Sequence, residues 1–154
     1  MKKIILILLI VIVSFKSFAQ NSAKENVSKV LATYKLAMEK QDKEIMKSLF
    51  SPDAVIYENG DPGDKAADFM AEHMFPEFDM FSSFTYDNYV SKIIISGNHA
   101  FTTETYNYTI VLKKDGKAIV PSSMGVATAI LKKTPAGWKI ISYHSSYRKQ
   151  KVTN

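Results

Sequence analysis

The first third of the chain has the apolar spacing of an amphipathic helix. After Ser22, apolar residues recur every three or four positions, which places them on one helix face; they are Val27, Val30, Leu31, Tyr34 and Met38. Ser22 and Glu25 have the spacing of a capping box, in which each side chain hydrogen-bonds the backbone N–H of the other residue. The pattern therefore predicts a helix that begins at Ser22.

Two shorter helices are predicted next. Asp42 can cap one that ends before Pro52, and Asp64 can cap another that ends before Pro76. The apolar face of the latter helix consists of Ala66, Phe69, Met70, His73 and Met74. Residues 54–58, between the two helices, are predicted to form a short strand.

The second half of the chain has the composition of strands. Residues 84–147 are rich in Val, Ile, Thr, Tyr and Phe, and turn signals at 96–98, 114–116 and 134–137 divide them into four long segments. Short connections between long strands are typical of an antiparallel meander. Helices followed by strands predict one α+β domain, with the helices packed on one face of a curved sheet.

Residues 1–19 have the pattern of a secretory leader. Lys2 and Lys3 precede an apolar run at 4–13, and small residues lead to Ala19, as in a cleaved signal peptide. Ten apolar residues are too few to cross about 30 Å of hydrocarbon. We therefore expect an exported protein, periplasmic or secreted, whose residues 20–154 form a single domain that no longer contacts a membrane.

Charge and cysteine content exclude several classes of protein. Loss of the three lysines in the leader lowers the formal net charge from +5 to +2, which leaves no concentrated basic face for nucleic acid. The chain contains no cysteine, so disulfides, thiolate metal sites and cysteine nucleophiles are excluded. The core alone must hold the domain together.

Three passages resemble the nuclear transport factor two-like superfamily, in its SnoaL-like branch. They are "SLFSPDAVIYENG", "TETYNYTIVLKKDG" and "GVATAILKKTPAGWKIISYHSS", and the last is the most specific. Its pattern is carried by Gly125, Thr128, Trp138, Ile140, His144 and Ser146. One departure is Val126, where many relatives have an arginine.

The resemblance implies a fold. It is a cone, a cystatin-like α+β barrel in which a strongly bent antiparallel sheet wraps around three N-terminal helices and encloses an apolar pocket. Such domains usually form dimers through the sheet. The fold includes isomerases, cyclases, dehydratases and plain binding domains, so it does not decide the function.

Two residues are the catalytic candidates. Alternation along the strand at 100–112 places Glu104 on the same face as Tyr106 and Tyr108, where burial would raise the carboxyl pKa and suit it to acid–base chemistry. The alternatives are that this face points outward, or that Glu104 pairs with a lysine. His73 lies on the apolar face of the third helix, either as a core residue or aimed at a ligand.

The remaining candidates line the predicted pocket or its outer surface. The expected lining residues are Tyr57, Glu58, Phe69, Tyr86, Tyr106, Tyr108, Val126, Tyr143 and Ser145. His144 points to the opposite face of the last strand from Ser145, which excludes a serine–histidine pair and makes His144 an interface candidate. Glu58, His73, Glu77 and Glu104 could converge at the mouth, but their spacing matches no metal motif.

These residues fit more than one function. The first is an exported domain that binds a small, partly apolar molecule without a cofactor or metal; acid–base chemistry of the isomerase, cyclase or dehydratase type is one alternative within it. The second is a non-enzymatic ligand-binding or assembly domain that forms a homodimer through the sheet. A divalent-metal site is a weaker third hypothesis.

Overall fold

The computed structural model describes residues 2–113 and 118–149. Its helices are α1 (Lys2–Lys40), α2 (Lys43–Leu49), α3 (Ala66–Phe69) and α4 (Phe75–Met80), with a π-helical turn at Met70–Met74 joining the last two. Its strands are β1 (Phe50–Glu58), β2 (Asp64–Lys65), β3 (Phe81–Ser96), β4 (His99–Leu112), β5 (Ala118–Thr134) and β6 (Gly137–Lys149). The predicted turn at 114–116 falls in the gap between the described ranges.

The six strands form one open sheet in the order β2-β1-β6-β5-β4-β3. The four long strands β3 to β6 make the predicted antiparallel meander, while β1 joins β6 in parallel. Bulges bend a strand and increase its twist, and register shifts interrupt each of the three antiparallel pairings of the meander. The helices lie against the concave side of this bent sheet, which confirms the predicted α+β cone.

The long helix α1 packs its predicted apolar face into the cone. Val27, Leu31 and Tyr34 are all buried, and α1 contacts both β3 and β6. The prediction that the helix begins at Ser22 is wrong for the full chain, because α1 already starts at Lys2.

The two other predicted caps differ in outcome. The Asp42 carboxylate accepts a hydrogen bond of 3.0 Å from the backbone N–H of Ile45, which confirms it as the cap of α2. Asp64 instead lies in β2, where it pairs with Ile56 of β1, and no side chain caps α3. We call α3, the π-helical turn and α4 together the third helical segment. Pro76 does not end this segment, because it lies in the first turn of α4, where a missing backbone N–H costs nothing.

A bulge in β6 changes which of its side chains are buried. Ile130 pairs with Ser142, but Leu131 pairs with Ile140, so Ile141 is an extra residue. Strict alternation had placed Trp138 and Ile140 on the same outer face as His144. The bulge reverses the alternation, so that Trp138, Ile140 and Tyr143 are all buried while His144 stays exposed.

Candidate functional site

The concave side of the sheet encloses a cavity of about 390 Å³. Its floor is formed by buried side chains from α1, the sheet and the third helical segment, among them Tyr34, Ile56, Phe78, Phe84 and Tyr143. Its rim is formed by exposed residues, which are Asn59, His73, Glu77, Met80 and Tyr147. The cavity is therefore aromatic at its floor and polar at its opening.

Most of the predicted lining residues reach this cavity. Those that line it are Glu58, Phe69, Tyr86, Tyr106, Tyr108, Tyr143 and Ser145. Tyr57 and Val126 do not line it, because successive side chains of a strand point to opposite faces of the sheet. Ile56 and Glu58 point inward, so Tyr57 between them points outward, and Val126 lies between the buried Gly125 and Ala127.

Glu104 is buried behind the cavity and does not line it. Its side chain is only 2% exposed, and the carboxylate accepts hydrogen bonds from the Tyr89 hydroxyl at 2.6 Å and from Thr102 Oγ1 at 3.3 Å. Burial raises the pKa of the Glu104 carboxyl, and the two hydrogen bonds partly offset that rise. The structure therefore separates Glu104 from His73, which lines the rim.

The partner of Glu104 is placed by a bulge in β3. The register of β3 against β4 shifts between Asp87 and Val90, and Asn88 has a left-handed φ of 51°. Asparagine tolerates that conformation better than most residues. The kink brings Tyr89 onto the carboxylate, a contact that strict alternation could not predict.

A group of tyrosines lies between Glu104 and the cavity. The rings of Tyr34 and Tyr143 are 4.9 Å apart, and those of Tyr86 and Tyr106 are 5.0 Å apart. The Tyr143 hydroxyl lies within hydrogen-bonding reach of Tyr34 and of Tyr106. Burial raises the pKa of all three phenols well above the usual range, so these hydroxyls remain protonated hydrogen-bond donors.

Gly125 provides the space for one of these rings. A Cβ atom at this position would lie 2.2 Å from Cε2 of Tyr106, far inside van der Waals contact. Tyr106 and Gly125 are direct cross-strand partners. The glycine therefore lets the Tyr106 ring lie flat against the backbone of β5.

The polar groups at the opening are Glu58, Glu77 and His73. Glu58 accepts a weak hydrogen bond of 3.5 Å from Ser145 Oγ. Burial raises the pKa of Glu58, and the neighbouring charge of Glu77 raises it further. Burial also raises the pKa of Glu77, which His73 partly offsets, while the His73 ring packs 5.4 Å from Phe69.

One polar atom in the cavity wall is incompletely paired. Ser123 Oγ is fully buried and lines the cavity; its side chain interacts with the Tyr108 hydroxyl, but no described atom meets it with full hydrogen-bond geometry. Its cross-strand neighbour is Tyr108, whose pKa burial raises to about 12. Sequence analysis missed Ser123, because a serine in a strand carries no signal of this kind. It also assigned Tyr34 only to the core.

The part of the chain whose side chains are described offers neither a metal cluster nor a membrane-spanning helix. No group of three or more His, Asp or Glu side chains there could hold a metal ion. Across residues 20–113 and 123–148, no helix combines the length and hydropathy needed to cross a membrane. Glu58, His73 and Glu77 do meet at the opening, as one hypothesis expected, but without Glu104.

The outer face of the sheet carries exposed apolar side chains. Phe101 and Val126 are each 45% exposed, and Met124 is 41% exposed. His144 lies on the same face, beside Thr128 and Tyr57 on the neighbouring strands. His144, the interface candidate, is thus solvent-accessible and lies outside the cavity.

Comparisons with known proteins support this fold. The family model of the SnoaL-like domain matches residues 27–149. A nuclear transport factor two-like superfamily protein from Salmonella enterica serovar Typhimurium is 21% identical with a TM-score of 0.70, over 87% of this chain and 95% of its own. A ketosteroid isomerase-like protein from Erwinia carotovora atroseptica is 19% identical with a TM-score of 0.66, over 80% and 94%.

A third similar structure is described as having a cystatin-like fold. A nuclear transport factor two-like protein with a cystatin-like fold from Novosphingobium aromaticivorans is 13% identical with a TM-score of 0.70, over 89% of each chain. At these identities the likeness shows the fold alone. No curated protein sequence matches the chain.

Proposed function

The chain belongs to the SnoaL-like domain family, and on that basis we propose that it binds a small, partly apolar molecule in its cavity and transforms it by acid–base chemistry of the isomerase, cyclase or dehydratase type. One observation carries this proposal. A half-buried carboxylate, Glu58, and protonated tyrosine hydroxyls line the same cavity. Glu58 therefore replaces Glu104 as the candidate base.

The chemistry follows from the two kinds of group. A carboxylate whose pKa is raised toward neutrality is a better proton acceptor than an exposed one. Glu58 would take a proton from a carbon next to a carbonyl group, and the electron pair of the broken C–H bond would move onto the carbonyl oxygen. Tyr143 or Tyr106 would hydrogen-bond the negative oxygen, as donors do in oxyanion sites. In a β,γ-unsaturated ketone, return of the proton to the γ-carbon would re-form the carbonyl group and move the double bond into conjugation, which completes an isomerisation.

The ketosteroid isomerase arrangement supports this assignment by analogy of chemistry. There a carboxylate base works beside a tyrosine donor and a protonated carboxyl group. In this chain Glu104 lies behind the tyrosines, within electrostatic range of Tyr34, Tyr106 and Tyr143. We therefore assign it a supporting position behind the donors and not a contact with the reacting atoms.

Proton exchange tests the proposal without knowledge of the substrate. A panel of cyclic ketones and enones in D₂O is followed by loss of the α-proton NMR signals, with wild type and Glu58→Gln compared. We expect the wild type to accelerate exchange of at least one ketone, and the variant to lose roughly 100-fold or more of that rate. Glu44→Gln, on the exposed surface of α2, is the matched control and should keep it. Equal rates for wild type and Glu58→Gln would refute the assignment.

We further propose that the mature protein is exported and starts near Gln20. The leader pattern of residues 1–19 supports this. Intact-mass measurement of the protein from its native host should show a chain that lacks about the first 19 residues. A mature chain that begins at Met1 would refute it.

The apolar outer face favours an assembly role beside the catalytic one. We propose that two copies pair through this face, with Val126 and His144 in the interface. Sedimentation equilibrium should show a dimer that Val126→Asp converts to a monomer, because a carboxylate would be buried without a partner. Ile45→Asp, at a comparably exposed apolar site on α2, should leave the dimer intact. A monomeric wild type would contradict the pairing.

A further inference from the structure

We propose that the natural ligand carries a positive charge, and specifically that it is an organic ammonium ion with a compact apolar body. This inference rests on the proposed function, because it names the class of molecule that the same cavity takes. Three features of the cavity support it: its excess of carboxylates over cations, its aromatic wall and its incompletely paired hydroxyl.

The first feature is the negative charge at the opening. The charge of Glu77 acts on Glu58, and among the described residues the cation-forming side chain that acts on both glutamates is His73. None of the described residues that line the cavity is a lysine or an arginine. No described salt bridge includes either glutamate. A half-buried carboxylate such as Glu58 is normally paired with a cation. A cationic ligand would supply that charge, and the exposed Glu77 beside it would add to the attraction.

The second feature is the aromatic wall. About half of the lining residues are Phe or Tyr. The faces of aromatic rings attract cations, and rings that surround a site recognise ammonium groups. A neutral apolar ligand would also pack well against this wall, but it would supply no cation to pair with the two carboxylates.

The third feature is the Ser123 hydroxyl. It is 0% exposed and lines the cavity, and its interaction with the Tyr108 hydroxyl falls short of full hydrogen-bond geometry. Buried polar groups are nearly always fully paired, so this atom can take a further partner supplied by a bound molecule. Its neighbour Tyr108 is within electrostatic range of Glu58 and Glu77. Ser123 thus belongs to the same polar wall as the two carboxylates and can accept a hydrogen bond from an ammonium group.

The size of the cavity limits the apolar body of the ligand. A volume of about 390 Å³ is near the lower end of the range for small-molecule sites. A single ring with a short amine-bearing chain suits this space. We therefore infer a monocyclic or short aliphatic amine and not a large polycyclic one.

A matched series of three probes tests the charge preference. They are 2-phenylethylammonium, 2-phenylethanol and 3-phenylpropanoate, which differ mainly in charge, and their affinities for the full chain are measured by calorimetry at neutral pH and low salt. We expect the ammonium ion to bind roughly tenfold more tightly than the alcohol, and the carboxylate to bind most weakly. Added NaCl should weaken binding of the ammonium ion and leave binding of the alcohol nearly unchanged.

Variants then locate the preference. Glu58→Gln and Glu77→Gln keep the shape of each side chain and should each reduce the preference for the ammonium ion severalfold. Ser123→Ala should weaken binding of the ammonium ion and should affect binding of the alcohol less. Glu44→Gln should change none of the affinities, because Glu44 lies on the surface of α2 beside Lys47.

The outcomes separate this inference from the proposed function. Tightest binding of the alcohol or of the carboxylate, or a preference that persists in Glu58→Gln and Glu77→Gln, overturns the inference. If none of the three probes binds while a ketone still exchanges its α-protons, the inference fails and the acid–base function stands. If neither set of molecules interacts with the protein, both fail. Should a variant not fold, the salt dependence of the wild type decides the question alone.

Discussion

The hydrogen bond between Tyr89 and Glu104 gives a stability prediction that can be worked out from the structure. Replacement of Tyr89 by Phe removes the hydroxyl that donates to the carboxylate at 2.6 Å. Glu104 is 2% exposed, so water cannot easily take the place of the lost donor. Only the longer bond of 3.3 Å from Thr102 then remains.

The expected cost follows from the charge of the acceptor. A hydrogen bond to a charged group contributes about 1.5–3 kcal/mol, and one between neutral groups about 1 kcal/mol. Tyr89→Phe should therefore lower the free energy of unfolding by about 2 kcal/mol at an alkaline pH, where the carboxyl group is ionised. In a Glu104→Gln background the same substitution should cost only about 1 kcal/mol, because the amide acceptor is neutral.

Urea denaturation of the four proteins in this double-mutant cycle measures the difference. The cycle should give a coupling energy of about 1 kcal/mol between the two side chains. A cost below about 0.5 kcal/mol for Tyr89→Phe, typical of a surface substitution, would refute the reasoning. So would an equal cost in both backgrounds, since it would show that the carboxylate does not use this donor.

Three further predictions concern single side chains. Gly125→Ala should destabilise the fold by about 1–3 kcal/mol, because the added methyl group displaces the Tyr106 ring, and denaturant unfolding measures this loss. Ser123→Ala should leave the stability of the unliganded protein unchanged or raise it by up to about 1 kcal/mol, since it removes a buried hydroxyl that makes no hydrogen bond of full geometry with the described residues; a clear loss in the same measurement would contradict that assignment. Burial raises the pKa of Glu104 in the folded state above its ordinary value of 4.5, so the folded state holds this proton more tightly and stability should fall as pH rises from that value through the folded pKa. Glu104→Gln should reduce this fall in unfolding curves measured between about pH 4 and pH 8.

Regular alternation predicted β4 well and β6 poorly, for a physical reason. Along β4 the pleat continues without interruption through the middle of the strand, so Thr102 and Glu104 are buried while Thr103 is exposed. Along β6 the extra residue Ile141 reverses the faces. A bulge of this kind depends on how neighbouring strands bend around the helices, and no single residue in β6 marks it.

The candidate site was only partly predictable, because it combines distant elements. The resemblance to the family and the alternation of strands together predicted an acidic and tyrosine-lined cone. They placed Glu58 of β1 in the lining, but they could not decide that Glu77 of α4 joins it there while Glu104 lies behind the tyrosines. That difference depends on the register between β3 and β4 and on the bulge that brings Tyr89 onto Glu104.

Comparison of Glu58→Gln with Glu104→Gln in the α-proton exchange assay tests the central claim most directly. The account predicts that Glu58→Gln loses roughly 100-fold or more of the exchange rate, whereas Glu104→Gln keeps most of it, because only Glu58 reaches the cavity. Loss of exchange in Glu104→Gln with full activity in Glu58→Gln would contradict the account and return the base to the position that the sequence alone suggested.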